Sequence, residues 1–284
     1  MTKLLNATEL ENCAKEIVAF SIKRRYKGRK PKLTILVASD DKASEVYVNN
    51  KVKLGKEFGI DVIVEKFGRL VSNHTVLTYI DILNNDSTVD GIMVQLPLFD
   101  HLSPELLINR IHPTKDVDGL TKYNKSMLRS NNALFIPCTP EGVISLLQME
   151  NINVEGKNVV IVGRGETSGA PMSVLFKNHN ANVTVCHSGT TRDELERCIR
   201  HADIVVSCVG KRDLIDAEWF KEGSIVVGVG FSYDGIGRQH LDFDVDKVVK
   251  IGKAAIVTQR TNCTGKATII ALLCNVISAY LMQP

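Results

Sequence analysis

The sequence predicts an α/β protein built from two lobes. Strand-like and helix-like segments alternate from residue 32 to residue 111, the alternation breaks over a loop-like passage at 112–140, and it resumes at residue 157. Repeated strand–helix alternation is the pattern of a parallel sheet covered by helices on both faces. The interruption places the boundary between the two lobes near residues 138–150.

Periodicity in the first half predicts four helices and three buried strands. Gly59 ends the second helix, and a Ser-Pro pair caps the fourth. The predicted helices are 7–25, 43–59, 73–86 and 103–111, and the predicted strands are 32–38, 60–67 and 89–98.

The second half begins with a predicted helix that has Pro140 in its first turn. A strand, a glycine turn, a helix and a second strand follow, then two more strands and an apolar final helix. These segments are 140–150, 157–188, 202–210, 223–231 and 266–281.

Charge and composition exclude several classes of protein. The 284 residues carry 35 basic and 32 acidic side chains, a balance too even for a nucleic-acid binder. The densest basic run, 23–30, is interpreted as a solvated helix end and loop. The first twenty residues lack the pattern of a signal peptide, and no apolar stretch is expected to reach the length of a membrane span. The sequence therefore predicts a cytoplasmic protein with no nucleic-acid or membrane partner.

The seven cysteines form no C-x-x-C pair and no Cys/His group with zinc-ligand spacing. A chain of this size can fold without disulfide staples. We interpret the cysteines as reduced thiols and expect no metal site.

A strand followed by glycines and then a helix occurs at "VVIVGRGETSGAP", with Gly163, Arg164, Gly165 and Gly169 in the turn. Glycines there allow a tight turn and let the backbone approach a pyrophosphate at the helix N-terminus. The spacing is one residue longer than the commonest dinucleotide motif, and many strand-to-helix turns contain glycines without binding anything.

The next strand ends in His187 and Ser188, with no carboxylate to hold the ribose hydroxyls that NAD presents. Arg164 lies in the glycine turn, and Arg192 follows four residues after Ser188. Guanidinium and hydroxyl donors favour a 2′-phosphate, so the predicted cofactor is NADP.

Tyr47 and Lys51 lie four residues apart on a predicted helix, so their side chains share one face. A phenol and an amine on one face could transfer protons, although such a pair is usually structural. The chain order excludes a short-chain reductase that uses a Y-x-x-x-K pair, because in that family the glycine turn precedes the tyrosine.

Several stretches together resemble the bifunctional methylenetetrahydrofolate dehydrogenase/cyclohydrolases over roughly residues 30 to 235. The motifs that carry the resemblance, in order, are "ASDDKASEVYVNNKVKLGKEFGI", "VDGIMVQLPL", "PTKDVDGL", "PCTPEGV", "VGRGETSGAPM", "CHSGT" and "ADIVVSCVG".

The resemblance implies a folate site whose tyrosine stacks beside the pterin and whose lysine transfers protons. By motif match these residues are Tyr47 and Lys51, with Gln95 tuning the lysine. Asp118 would recognise the pterin, and its neighbour Asp116 ranks second. The alternatives are purely structural roles, in which Gln95 ends a strand and the aspartates form a turn.

The same resemblance adds Leu96 and Pro97 to the predicted folate site. It assigns the NADP phosphate to Arg164 and Ser188, and Phe231 joins the predicted cofactor site with His187 and the turn glycines.

The resemblance also implies a domain plan, a pathway and an assembly. Residues 1–138 with the C-terminal helix 266–284 would form the folate lobe, on which that helix packs back, and 139–265 the Rossmann-like lobe. The family acts in one-carbon metabolism, including purine biosynthesis, and its members are typically homodimers.

The chain departs from the family pattern in three places. The Pro- and Gly-rich loop before the last helix is replaced by "VTQRTNCTGKAT", Gly165 stands where a serine is usual, and "GVGFS" (228–232) lacks a carboxylate and an amide. Two hypotheses follow: a working bifunctional enzyme, or a paralogue that no longer transfers hydride and acts as a cyclohydrolase or a binding protein.

Overall fold

The computed structural model describes residues 2–235 and 237–283, which divide into two compact units. The six-stranded unit contains residues 2–11 and 139–268, and the three-stranded unit contains residues 12–138 and 269–283. The first eleven residues, predicted to lie with the folate lobe, are thus part of the six-stranded unit. They belong there because a short strand near the N-terminus pairs with the last strand of that sheet.

In the described residues the helices, in chain order, are α1 Thr8–Arg24, α2 Lys42–Glu57, α3 Asn73–Asn85, α4 Pro104–Ile108, α5 Lys122–Arg129, α6 Cys138–Met149, α7 Gly169–Asn178, α8 Arg192–His201, α9 Val245–Ile251 and α10 Thr264–Met282, with a 3-10 turn at Ala217–Trp219. The strands are β1 Lys3–Leu5, β2 Lys32–Val37, β3 Asp61–Lys66, β4 Gly91–Gln95, β5 Asn158–Val162, β6 Asn182–Cys186, β7 Ile204–Ser207, β8 Ile225–Gly228, β9 Phe231–Tyr233, β10 Gln239–Leu241 and β11 Ile256–Thr258.

The three-stranded unit is built on a parallel sheet of order β3-β2-β4. Its central strand β2 is almost wholly buried, and helix α3 contributes Val76 and Ile80 to the core below it. Each fully buried aliphatic side chain of this kind stabilises the fold by roughly 1.5–3 kcal/mol. From β2 the chain passes to β3 at one edge and then crosses to β4 at the other edge, so the carboxyl ends of β2 and β4 flank a topological switch point, where α/β proteins bind ligands.

The six-stranded unit contains a parallel sheet of order β1-β11-β8-β7-β5-β6 and a separate antiparallel β9–β10 hairpin. Its switch point lies between β5 and β7, which are hydrogen-bonded neighbours although β6 comes between them in sequence. This arrangement is Rossmann-like, and the predicted α/β class of two lobes is confirmed.

Some elements within the described residues were not predicted. Helix α5 lies in the passage predicted to be loop; it begins at the N-cap Thr121, and its short polar sequence exposes most of its surface. Strands β1 and β11 have only three residues each; β1 forms because it pairs with β11, and β11 also pairs with β8. Helices α8 and α9 and the hairpin were also missed.

Helix α10 has the length and composition of a membrane span, with 19 residues and a mean hydropathy of 1.6 over its most apolar window. The prediction that no apolar stretch reaches this length is therefore wrong for this helix. Of that window 56% is buried inside the protein, and the core helices of globular proteins pass the same test.

Candidate active site

Lys51 lies on the buried face of α2. The helix begins at Asp41, whose carboxylate accepts a hydrogen bond from the backbone N–H of Ser44 at 2.6 Å. From Ser44 onward the buried positions include Val48, Lys51 and Leu54, which is helical spacing. The apolar stripe that packs α2 on the sheet therefore carries the lysine inward, and Lys51 is only 1% exposed.

The Lys51 amine has three partners in the three-stranded unit. It donates to Gln95 Oε1 at 2.7 Å, lies 3.4 Å from Met93 Sδ, and sits 4.5 Å from the centre of the Tyr47 ring. Met93 and Gln95 alternate along β4 and share a face. Strand β4 thus supplies two contacts and α2 supplies the ring, which brings the predicted Tyr47, Lys51 and Gln95 together.

Burial lowers the pKa of Lys51 from 10.5 to about 8, although the carboxylate of Asp118 opposes the shift. At this value both the ammonium and the neutral amine are populated near neutral pH. The amine can therefore either donate or accept a proton, as a general acid–base group must.

The side-chain amide of Gln95 is fixed at both ends. Its Nε2 donates to the carbonyl oxygen of Leu96 at 2.6 Å, which leaves Oε1 for Lys51. Leu96 is half-buried and Pro97 is exposed, immediately after the strand that carries Gln95.

Asp116 and Asp118 have different surroundings. The Asp116 carboxylate is 1% exposed and accepts hydrogen bonds from the backbone of Leu120 and Thr121 and from Nδ2 of Asn124, at 3.2, 2.9 and 2.8 Å. Burial raises its pKa to about 6, and these donors oppose the shift. Its acceptor capacity is used inside the turn.

Asp118 is half-buried and interacts electrostatically with Lys51. Burial raises the pKa of its carboxyl, while Lys51 and a hydrogen bond from Cys138 act in the opposite direction. Asp118 is therefore the aspartate whose charge acts on the pKa of Lys51.

Cys138 belongs to this group, although cysteine count and spacing suggest only a core thiol. Its Sγ donates to the carbonyl oxygen of Val117 at 3.2 Å and is hydrogen-bonded to Asp118. Burial and the adjacent carboxylate raise the pKa of the thiol well above its usual value, so it stays protonated and acts as a donor. Its place in "PCTP", among the matched motifs, was the available signal.

The glycine turn follows β5 in the six-stranded unit, and two of its glycines are sterically required. Gly163 has φ +112°, and a Cβ there would lie 2.9 Å from the carbonyl oxygen of Cys208. A Cβ at Gly169 would lie 2.4 Å from the carbonyl oxygen of Gly163, whereas one at Gly165 would meet nothing within 4 Å. The turn thus brings the start of α7 against the end of β5.

The turn lies at the carboxyl edge of the sheet, at the switch point. The backbone N–H of Gly163 donates to Cys186 O at 2.8 Å, and that of Cys208 donates to Val162 O at 2.7 Å. The ends of β5, β6 and β7 therefore meet beside the N-terminus of α7, which is the geometry of a pyrophosphate cradle. The residues present fit a dinucleotide.

The residues predicted near the 2′-phosphate differ in their exposure and in the contacts they make. Arg164 and Ser188 are exposed, while the His187 ring accepts a 3.0 Å hydrogen bond from the backbone N–H of Gly189 and so shapes the turn after β6. Arg192 instead stacks on Trp219, with its guanidinium 5.2 Å from the ring centre. Arg192 is thus engaged elsewhere.

Two residues of the divergent 228–232 stretch have defined surroundings. A Cβ at Gly228 would lie 2.7 Å from Leu241 Cδ1, the flexible end of that side chain, so Leu241 would have to shift to admit a larger residue. Phe231 is 43% exposed on β9 and packs edge-on against Tyr233.

Asp242 is a buried carboxylate that was not predicted from the sequence. It accepts hydrogen bonds from the hydroxyl of Ser207 and from the backbone N–H groups of Val209 and Lys211, the latter two at 2.9 and 2.6 Å. It therefore shapes the loop that follows β7.

The divergent loop before α10 is held by specific contacts. Both hydrogen-bonding groups of the Gly228 backbone are used. Its N–H donates to Thr258 Oγ1 at 2.8 Å, and its carbonyl oxygen accepts from Thr264 Oγ1 at 2.8 Å. Arg260 forms an ion pair with Asp246 at 2.5 Å. These contacts order a segment that lacks the prolines of the family pattern.

In residues 2–235 and 237–283, no group of three or more His, Cys, Asp or Glu side chains could hold a metal ion.

A Rossmann-like unit with a glycine cradle, together with a second α/β unit that buries a lysine of lowered pKa, defines a two-unit nucleotide-binding α/β protein of the dehydrogenase class. The profile of the tetrahydrofolate dehydrogenase/cyclohydrolase catalytic domain matches residues 4–118, and that of the NAD(P)-binding domain of the same family matches residues 137–283. The chain belongs to the tetrahydrofolate dehydrogenase/cyclohydrolase family.

Similar proteins extend over almost the whole chain. The bifunctional protein FolD of Ruminiclostridium cellulolyticum is 37% identical over 282 residues, which cover 99% of this chain and 98% of that protein. The FolD structure from Campylobacter jejuni is 34% identical with a TM-score of 0.93 and covers 99% of both chains. The structure of the Trypanosoma brucei enzyme, solved with NADP and an inhibitor, is 30% identical with a TM-score of 0.92 and covers 99% of this chain and 97% of that one.

Proposed function

We propose that this protein oxidises 5,10-methylenetetrahydrofolate to 5,10-methenyltetrahydrofolate with NADP, and hydrolyses that product to 10-formyltetrahydrofolate. The observation that carries the proposal is the buried Lys51 amine, whose pKa is lowered to about 8. The amine is hydrogen-bonded to Gln95 and lies over the face of the Tyr47 ring. Full-length similarity to bifunctional relatives supports both activities.

Ring opening is the step that needs Lys51. In its neutral form the amine takes a proton from the water that adds to the methenyl carbon, and the ammonium then returns that proton to the ring nitrogen as its bond to that carbon breaks. The hydroxyl left on the carbon becomes the formyl carbonyl, and its proton is released to solvent. Gln95 keeps the amine aimed, and the Tyr47 ring offers a flat surface beside it for the pterin. The Asp118 carboxylate can accept two parallel hydrogen bonds from an amino-pyrimidine edge.

Oxidation requires positioning more than proton transfer. Bound NADP supplies the hydride acceptor. The turn from Gly163 to Gly169 would hold the pyrophosphate at the N-terminus of α7, and Arg164 with Ser188 would take the 2′-phosphate. Leu96, Pro97, His187 and Phe231 remain predicted contacts of substrate or cofactor.

The test is a pair of absorbance assays on the purified protein. One follows NADP reduction with methylenetetrahydrofolate, and the other follows the decay of methenyltetrahydrofolate above its spontaneous rate. We expect both to proceed. Ring opening alone would indicate the paralogue that has lost hydride transfer, and the absence of both would refute the proposal.

We also propose a cytoplasmic homodimer that acts in one-carbon metabolism and supplies formyl groups for purine biosynthesis, with no nucleic-acid or membrane partner. The edge strands β6 and β1 of the six-stranded sheet could extend a sheet between two copies. Light scattering coupled to size exclusion tests the assembly, since a mass near 31.4 kDa would exclude the dimer.

A further inference from the structure

Asn275 of helix α10 contacts two chain segments that are distant in sequence. Its Nδ2 donates to the carbonyl oxygen of Val117 at 2.9 Å and to that of Ile136 at 3.2 Å, and it lies 3.7 Å from the Sγ atom of Cys138. One side-chain amide of the C-terminal helix thus connects two loops of the three-stranded unit.

Both loops carry groups of the candidate site. Val117 precedes Asp118, and Ile136 lies two residues before Cys138. The backbone N–H of Cys138 also donates to the carbonyl oxygen of Asp118 at 3.3 Å. Asn275 therefore joins the peptide that precedes Asp118 to the segment that leads to Cys138.

The two loops are in close contact with each other and with β4. Gly119 has φ +70°, and a Cβ there would lie 2.7 Å from the backbone nitrogen of Pro137. A Cβ at Gly91 of β4 would lie 2.7 Å from Val117 Cγ2. This packing, the hydrogen bonds from Cys138 to Val117 O and Asp118 O, and the contacts of Asn275 together fix the two loops.

The neighbouring residues are held separately. Lys115 donates to two backbone carbonyls around the end of α3, both at 2.7 Å, and Asp116 binds the start of α5. These contacts fix the first two residues of the turn. The carbonyl oxygen of Val117, one residue before Asp118, accepts hydrogen bonds from Asn275 and from the thiol of Cys138.

We infer that Asn275 is a positioning residue for the folate site, which fixes the Asp118 turn against the Cys138 segment and so sets the Asp118 carboxylate relative to the Lys51 amine. The inference rests on the proposed function for its catalytic consequence. Asn275 acts through Asp118 and not by contact with reacting atoms.

The test uses three variants of the full chain. Asn275→Leu has a similar volume and no donor, and Asn275→Ser is a smaller change if the leucine variant fails to fold. Ser278→Ala is the matched control, because this half-buried hydroxyl on the same helix donates within α10, to Cys274 O at 3.1 Å.

Hydrogen exchange tests the positional hold without any substrate. In the Asn275 variants the peptides covering 115–121 and 136–140 should exchange about ten-fold faster, because each tenfold change reflects one lost hydrogen bond of ordinary strength. The peptide covering β4 should not change, and the control should match the wild type. Unchanged exchange at 115–121 would overturn the inference.

Kinetics test the consequence for the reaction. We expect KM for methenyltetrahydrofolate to rise about ten-fold or more, with a displaced pH profile of ring opening, because a misplaced Asp118 alters both pterin binding and the field at Lys51. Unchanged KM and pH profile alongside faster exchange would also overturn it. An inactive wild type would refute the proposed function and remove the catalytic part of the inference, while exchange would still decide the positional hold.

Discussion

The amine of Lys51 donates a 2.7 Å hydrogen bond to the side-chain oxygen of Gln95, although 44 residues separate them in sequence. Gln95 ends a buried strand and Lys51 lies on the buried face of a helix. Their meeting gives a buried amine an oriented neutral acceptor in place of a carboxylate. Such a partner orients the amine without raising its pKa as strongly as a charge would.

Replacing Lys51 should separate the two activities. We expect Lys51→Met to lower ring opening at least about 100-fold, because only that step needs a proton carrier, while NADP reduction stays measurable. Both rates are followed by absorbance. Lys53→Met, two residues along on the exposed side of α2, is the control and should leave both rates near the wild type. Equal loss of both activities in a folded Lys51→Met protein would contradict this division.

The pH profile of ring opening should reflect the lowered pKa of Lys51. The neutral amine accepts the proton from water, so kcat should rise with pH and level off above about 8. Gln95→Glu places a carboxylate beside the ammonium and should move the inflection to higher pH. The measurement is the rate of ring opening between about pH 6 and about pH 9.5, corrected for spontaneous hydrolysis. An inflection that stays in place would exclude Lys51 as the titrating group.

Selection of NADP over NAD should depend on Arg164 and Ser188. We expect Arg164→Gln to weaken NADP binding about ten-fold or more and to leave NAD binding nearly unchanged, because only NADP presents the 2′-phosphate. Ser188→Ala should act in the same direction with a smaller effect. Arg192→Gln is the control, since this guanidinium stacks on Trp219. Fluorescence titration gives the affinities, and equal losses for both nucleotides would rule out this assignment.

Two glycines of the same turn should respond differently to alanine. Gly163→Ala should destabilise the protein by on the order of 2 kcal/mol and abolish nucleotide binding, because its φ is +112° and its Cβ would strike Cys208. Gly165→Ala should be tolerated, since nothing lies within 4 Å of its Cβ. Urea unfolding and NADP titration compare the two. Similar effects at both positions would contradict the described turn.

Asp116 should make the free energy of unfolding depend on pH. Its pKa is about 6 in the folded protein against 3.8 ordinarily, so the folded state holds more protons in this window. Its contribution is present below about pH 4 and is lost as pH rises through 6. Over the full titration, from below about pH 4 to above about pH 6, the free energy of unfolding should fall by on the order of 3 kcal/mol less in Asp116→Asn than in the wild type. Urea unfolding curves with parallel pH dependence would refute this.

The long periodic elements were predictable because their own residues specify them. Helix α2 needs only its apolar spacing and its capping Asp41, and strands β2 and β4 need only their apolar runs. Strand β1 gives no such signal, because three residues become a strand only through β11, about 250 positions later. The short polar helix α5 similarly depends on the buried carboxylate of Asp116 at its start.

For the site, the sequence by itself determined the chemical inventory: Tyr47 and Lys51 on one helix face, three glycines in a strand-to-helix turn, and arginine and hydroxyl donors in and after that turn. These follow from spacing and residue type, which are local properties. Only the tertiary structure decided that Cys138 joins Lys51 and Asp118, that Arg192 is engaged by Trp219, and that Asn275 holds the Asp118 turn. Burial and long-range contacts set a pKa or aim a side chain, and neither can be read from neighbours in sequence.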